Sequence, residues 1–146
     1  MEEAKYVMFT KELDWWLGEV EFDEEMYDPN DDDDALDKFR NDWPSIVNDK
    51  DELQIVIDIE TGFIENWPEG KTAYFGNVKL VDTASYALLD SNKNVIKYHR
   101  GYVPTFFSIG CNGWGDYMTF EVEANGHIKD WTFGEKEFQE IEEKWK

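Results

Sequence analysis

The chain has one cysteine, two histidines and four prolines among 146 residues. A lone Cys111 cannot close an internal disulfide, so no disulfide framework supports this fold. One cysteine with His99 and His127 is too small a set, and too poorly spaced, for a structural zinc site. No apolar run approaches the length of a membrane-spanning helix, and no basic-then-apolar leader follows Met1. The expected setting is the cytoplasm, with no membrane contact. Bases are scarce too: 14 Lys and Arg stand against 34 Asp and Glu, a net charge of −20. Such a body repels phosphate backbones, which argues against direct nucleic-acid binding.

Catalytic motifs are equally thin. Ser108, Cys111, His99, His127 and Asp116 supply the residue types of nucleophilic catalysis, but no Gly-x-Ser-x-Gly or related pattern arranges them. With so many carboxylates, any two resemble a glycosidase pair. The run Asp28-Pro29-Asn30-Asp31-Asp32-Asp33-Asp34 offers oxygen ligands at alternate positions, as a calcium loop does. An EF-hand needs Gly at its sixth place and a bidentate Glu at its twelfth, where this chain has Asp33 and Phe39. The expectation is a non-enzyme without catalytic residue, metal or cofactor.

What the chain does have is aromatic mass: seven Trp, seven Tyr and ten Phe, enough to build a core despite the charge. It also has a lopsided charge distribution. Residues 1–60 hold 21 acids against 5 bases, and from Glu12 to Asp37 there are 13 acids and no Lys or Arg. That asymmetry points to an acidic interaction surface, the alternative being a merely solubilising face.

Periodicity gives the elements. Strands are expected at 5–10, at 15–22, from Glu52 through Ile59, and then at 72–81, 85–90, 95–98, 117–123 and 127–131. Asp28-Pro29-Asn30 marks a turn. Asp31 to Asp34 then open a helix whose free amides they cap, and whose apolar stripe is Leu36, Phe39 and Trp43, ended by Pro44. A closing helix is expected at 134–146, with Phe138, Ile141 and Trp145 on its apolar side. The fold class is α+β: a single domain, 1–146, built on an antiparallel sheet of roughly six to eight strands. Its parts are an acidic stretch (1–52), a strand-rich core (53–131) and the last helix.

Two segments echo each other. Residues 57–67 and 120–131 both run strand, Gly-containing turn, Ile, acid or amide, Trp. They are read as two hairpins that stack Trp67 and Trp131 in one core across a pseudo-symmetric sheet, or as any two hairpins with a chance likeness. The strings 57–70 (IDIETGFIENWPEG), 101–104 (GYVP) and 113–117 (GWGDY) resemble a family of small uncharacterised proteins of phages, prophages and gut bacteria. The likeness covers roughly residues 53–131. It implies a mobile-element context, in which small acidic proteins often inhibit host defence.

The expected role follows from the charge. An acidic face would occupy a basic nucleic-acid-binding groove of a host defence protein, of anti-CRISPR or anti-restriction type, by mimicking nucleic acid. Glu19, Glu21, Asp23, Glu24, Glu25, Asp28, Asp31, Asp32, Asp33 and Asp34 would carry it. Glu19, Glu21, Asp23 and Glu25 fall at the alternate spacing of one strand face. Trp114, in the Gly-rich loop 110–117, is the candidate aromatic anchor. Two other readings stand beside it: a sugar- or small-ligand-binding module using Trp15, Trp16 or Trp114, and an accessory protein of a virion.

Overall fold

The computed structural model of the chain describes residues 4–13, 15–79, 84–100 and 117–131. The expected closing helix at 134–146 and the loop bearing Trp114 lie outside them.

Strand β1 (Tyr6–Glu12) runs through the middle of a first sheet. Val7 and Phe9 point to the main core, while Tyr6 and Met8 face a smaller apolar cluster on the opposite side. A strand buried on both faces reads as a near-continuous run of β-formers, which is how Tyr-Val-Met-Phe reads. β1 pairs antiparallel with β4 (Glu52–Asp58), placing Phe9 opposite Ile55 and Tyr6 opposite Asp58. On its other side lies β6 (Ala84–Leu89), followed by β7 (Val95–Arg100). In β4, Leu53, Ile55 and Ile57 are buried and the residues between them half-exposed, as the period of two requires.

The second sheet has the order β3-β2-β5-β8, from β2 (Val20–Phe22), β3 (Glu25–Met26), β5 (Ala73–Lys79) and β8 (Tyr117–Val122). Among the described residues the expected α+β class holds, with two four-stranded antiparallel sheets in place of the single sheet. The reason is the core: Val20, Phe22, Ala73, Phe75 and Val122 of the second sheet share one apolar cluster with the inward residues of the first. The stretch 15–22, expected as one strand, begins as a 3-10 turn (Trp15–Glu19) and becomes strand only at Val20. Gly18 lets the chain approach itself there, since a Cβ at that position would sit 2.7 Å from the Asp28 carboxyl carbon.

The helix expected to open at Asp31–Asp34 is α1 (Ala35–Asp42), with Ala35, Phe39 and the flanking Trp43 buried. Leu36 is half-buried against the same core. Pro44 ends the helix as expected and begins a 3-10 turn, Pro44–Ile46.

The two echoing segments interlock. After β4 and after β8 the chain makes a tight turn, and short bridges join Ile57 to Ile64, Phe63 to His127, and Val122 to Ile128. The hydrogen bonds are reciprocal: Ile64 N–H donates to the Gly126 carbonyl (2.9 Å) and Ile128 N–H to the Gly62 carbonyl (3.0 Å). So are the ring contacts. Trp131 covers Gly62 and Trp67 covers Gly126, each glycine having a positive φ, +80° and +86°. Trp67 and Trp131 both pack on the main core, but each lies on the other segment's glycine; the ring partner of Trp67 is Trp43, 5.2 Å away. Residues 127–131, expected as a strand, contribute only these bridges and a turn.

Candidate functional site

The acidic segment is held by aromatic packing. Phe22 is fully buried and touches the rings of Phe39 at 4.7 Å, Trp43 at 5.2 Å and Phe75 at 5.6 Å, joining the second sheet to α1. Offset and edge-on pairs of this kind are worth about 0.5–1.5 kcal/mol each beyond the burial itself. Tyr27 adds two further ring contacts, to Phe22 and Phe39. Between Phe22 and Tyr27, residues 23–26 are all exposed.

Between β2 and β3 the chain reverses on two residues, Asp23 (φ 54°) and Glu24 (φ 69°). Two successive left-handed residues make a type I′ hairpin turn, for which Asn-Gly is the favoured pair. The chain places carboxylates there instead, at a conformational cost of about 1 kcal/mol for Glu24. The alternate spacing of Glu19, Glu21, Asp23 and Glu25 therefore does not describe one strand face. Glu19 closes the 3-10 turn, Glu21 points outward from β2, Asp23 and Glu24 form the tip, and Glu25 lies on the returning strand. All five are exposed.

Behind the hairpin is a groove of about 330 Å³. Glu25, Asp28, Asp32 and Asp42 line it with the half-exposed Met26 and with Lys38. Asp28 and Asp32 are held by their own turns: Asp28 Oδ1 accepts from Asn30 N–H and Asp32 Oδ1 from Asp34 N–H, both at 2.9 Å. The side-chain helix cap expected from these aspartates is not formed: Asp34, at the N-cap, makes no side-chain bond to the helix, and the Asp32 carboxylate is taken up by the Asp34 amide and Lys38. Lys38 pairs with Asp32 and holds its carboxyl below the usual range, assisted by the Asp34 amide. Arg40 lies 2.6 Å from Asp37 and 3.1 Å from Asp51. The base-free stretch of sequence is thus partly compensated in space by two bases of α1, and Asp31, Asp33 and Asp34 remain as exposed carboxylates of the loop.

Tyr27 forms part of the groove wall and is fixed by polar contacts. Its hydroxyl accepts from Trp43 Nε1–H (3.3 Å) and donates to Asp42 Oδ2 (2.8 Å), with Glu25 Oε2 3.3 Å away. Burial, and then the bond to Asp42, push the phenol above its ordinary pKa, so it stays a donor.

A second feature lies on the outer face of the second sheet. Met26, Glu21, Tyr74 and Glu121 are consecutive partners across β3, β2, β5 and β8. Met26 is 55% and Tyr74 48% exposed, while the strand neighbours Val20, Phe22, Ala73, Phe75 and Val122 are buried. Sequence reasoning missed Asp42, Tyr74 and Glu121. Period-two alternation marks Tyr74 as outward, but its alignment with Glu21 and Glu121 depends on a register between distant strands.

Among the described residues, no group of three His, Cys, Asp or Glu side chains is placed to hold a metal ion. Trp43, Trp67 and Trp131 are committed to the core. No helix among the described residues is long and apolar enough to cross a membrane. Comparison with protein-family models, with curated proteins and with solved structures returned no match.

Proposed function

We propose that the protein is a non-catalytic acidic inhibitor, encoded by a phage or other mobile element, that occupies a basic nucleic-acid-binding groove of a host defence protein. The observation that carries this reading is the hairpin at Asp23 and Glu24. Carboxylates occupy a left-handed turn where a neutral Asn-Gly pair folds more easily, and strain retained at an exposed tip is a feature of working surfaces. Beside it, Glu25, Asp28, Asp32 and Asp42 surround one groove. The mechanism is competition: the acidic surface takes the Lys and Arg contacts that DNA or RNA phosphates would make. The setting is part of the proposal, taken from the likeness to phage and prophage proteins expected of residues 53–131.

The test is capture of partners from a host lysate at low salt, repeated with Glu19, Glu21, Asp23, Glu24 and Glu25 changed to Lys. A nucleic-acid-handling protein is expected on the wild-type chain only. Added DNA should displace it, and rising salt should weaken it steeply. A complex that ignores both salt and DNA refutes the reading.

A further inference from the structure

Sharing Glu21 with the acidic hairpin and Met26 with the groove wall, the row Met26–Glu21–Tyr74–Glu121 combines an aromatic ring, two carboxylates and a thioether on one sheet face, with Glu121 half-exposed. We propose that this row is a binding site for an arginine side chain of the partner, with Tyr74 as its anchor; the proposal rests on the inhibitor reading and names its point of specificity.

Neighbouring strands lie about 4.8 Å apart, so Glu21 and Glu121 flank Tyr74 at roughly 5 Å on either side. A guanidinium laid on the phenol ring gains the cation–π attraction of its flat face. Its planar fork of N–H donors reaches the carboxylates beside the ring, which a compact ammonium does less well. Met26, one strand beyond Glu21, gives apolar surface to the aliphatic stem of the same or an adjacent cation. Among the described residues Glu121 has one internal competitor, Lys129, whose Nζ lies 3.6 Å from its Oε2 with both side chains about half exposed. An exposed pair of that length contributes little, so an incoming guanidinium displaces it readily.

Charge complementarity selects the occupant. The chain carries −20, and Glu21 and Glu121 sit either side of the ring, so a cationic surface fits this face and an anionic or purely apolar one does not. Contact with the ring is expected to weaken less with salt than the surrounding charge attraction, because it acts at contact distance rather than across solvent.

The experiment measures the affinity of a fluorescent oligo-arginine peptide for the full-length chain by anisotropy, at low and at high salt, with an oligo-lysine peptide alongside. Tyr74→Ala is expected to weaken oligo-arginine binding about two- to fivefold and to affect oligo-lysine less. Tyr74→Phe should retain wild-type affinity, because the ring face and not the hydroxyl makes the contact. The double variant Glu21→Gln, Glu121→Gln should remove the preference for arginine over lysine, and circular dichroism checks that each variant is folded. Wild-type affinity in Tyr74→Ala overturns the arginine site. If reversal of Glu24, Asp31 and Asp33 to Lys still weakens the peptide in that case, the acidic docking surface stands without it. If neither change matters, or if the wild-type chain binds no oligo-arginine, the site falls, and lysate capture competed by DNA decides the inhibitor reading separately.

Discussion

Glu24 shows in one residue how stability and function pull apart. At φ 69° its backbone is in a region that glycine enters freely and a glutamate does not. Glu24→Gly is therefore expected to raise the unfolding free energy by about 0.5–1 kcal/mol in urea titrations while weakening partner capture. Equal or lower stability would mean that the turn is not strained. Gly18 presents the opposite case. Asp28 leaves no room for a Cβ, with its carboxyl carbon at 2.7 Å and Oδ1 at 2.8 Å from that position. Gly18→Ala should displace Asp28 from its turn over Asn30 and so loosen the groove.

At the scale of elements, the interlocked turns join an edge of one sheet to an edge of the other. Among the described residues β4 is the outermost strand of the first sheet and β8 of the second, and the Phe63–His127 bridge connects the turns that follow them. Two polar clamps reinforce the turns: His127 Nε2 lies 2.7 Å from the Thr61 carbonyl, and the Trp131 indole donates to the Ile59 carbonyl at 2.8 Å. The two glycines differ in room. A Cβ on Gly62 would be 2.5 Å from Trp131, whereas one on Gly126 would be 3.3 Å from Trp67. Both alanine variants are expected to destabilise by more than about 1 kcal/mol, because each glycine also has a positive φ, and Gly62→Ala should be the worse. Thermal melts of the two variants rank them, and equal melting temperatures would contradict the difference in clearance at the two glycines.

For the whole molecule, charge acts with opposite signs on folding and on binding. A net charge of −20 on a small body repels itself, so added salt should raise the melting temperature even as it weakens the complex. A melting temperature that falls with salt would show that the ion pairs outweigh the repulsion. The acid limb has an identifiable contributor in Asp58. Partial burial raises its pKa, but the Lys5 ammonium at 3.0 Å and the Thr61 and Glu60 amides outweigh that, leaving the carboxyl below its ordinary value. A carboxyl depressed in the folded state stabilises above its unfolded pKa, near 3.9, and loses that contribution as pH falls through the folded value. Lys5 is raised by the same hydrogen bond, so its share is complete below its unfolded pKa, near 10.4, and is lost as pH rises through the folded value. Asp58→Asn should flatten the stability–pH curve at both ends.

Much of this molecule was legible as pattern. Leu53, Ile55 and Ile57 alternate, Phe39 and Trp43 recur at helical spacing, Pro44 stops a helix, and the echo between 57–67 and 120–131 reflects two turns of one design. These are local signals, written in the period of the backbone and in residues that favour or forbid particular angles. What local pattern does not contain is register between distant strands. Only the folded chain sets Tyr74 between Glu21 and Glu121, returns Lys38 and Arg40 to neutralise part of a run that looked uncompensated, and brings Asp42 to the groove. The amino-acid order by itself determined that the chain is acidic, aromatic and strand-rich. Its division into two sheets, and which carboxylates face a common surface, followed only when Phe22 and its neighbours were buried together, because packing of distant apolar faces is what sets the strands side by side.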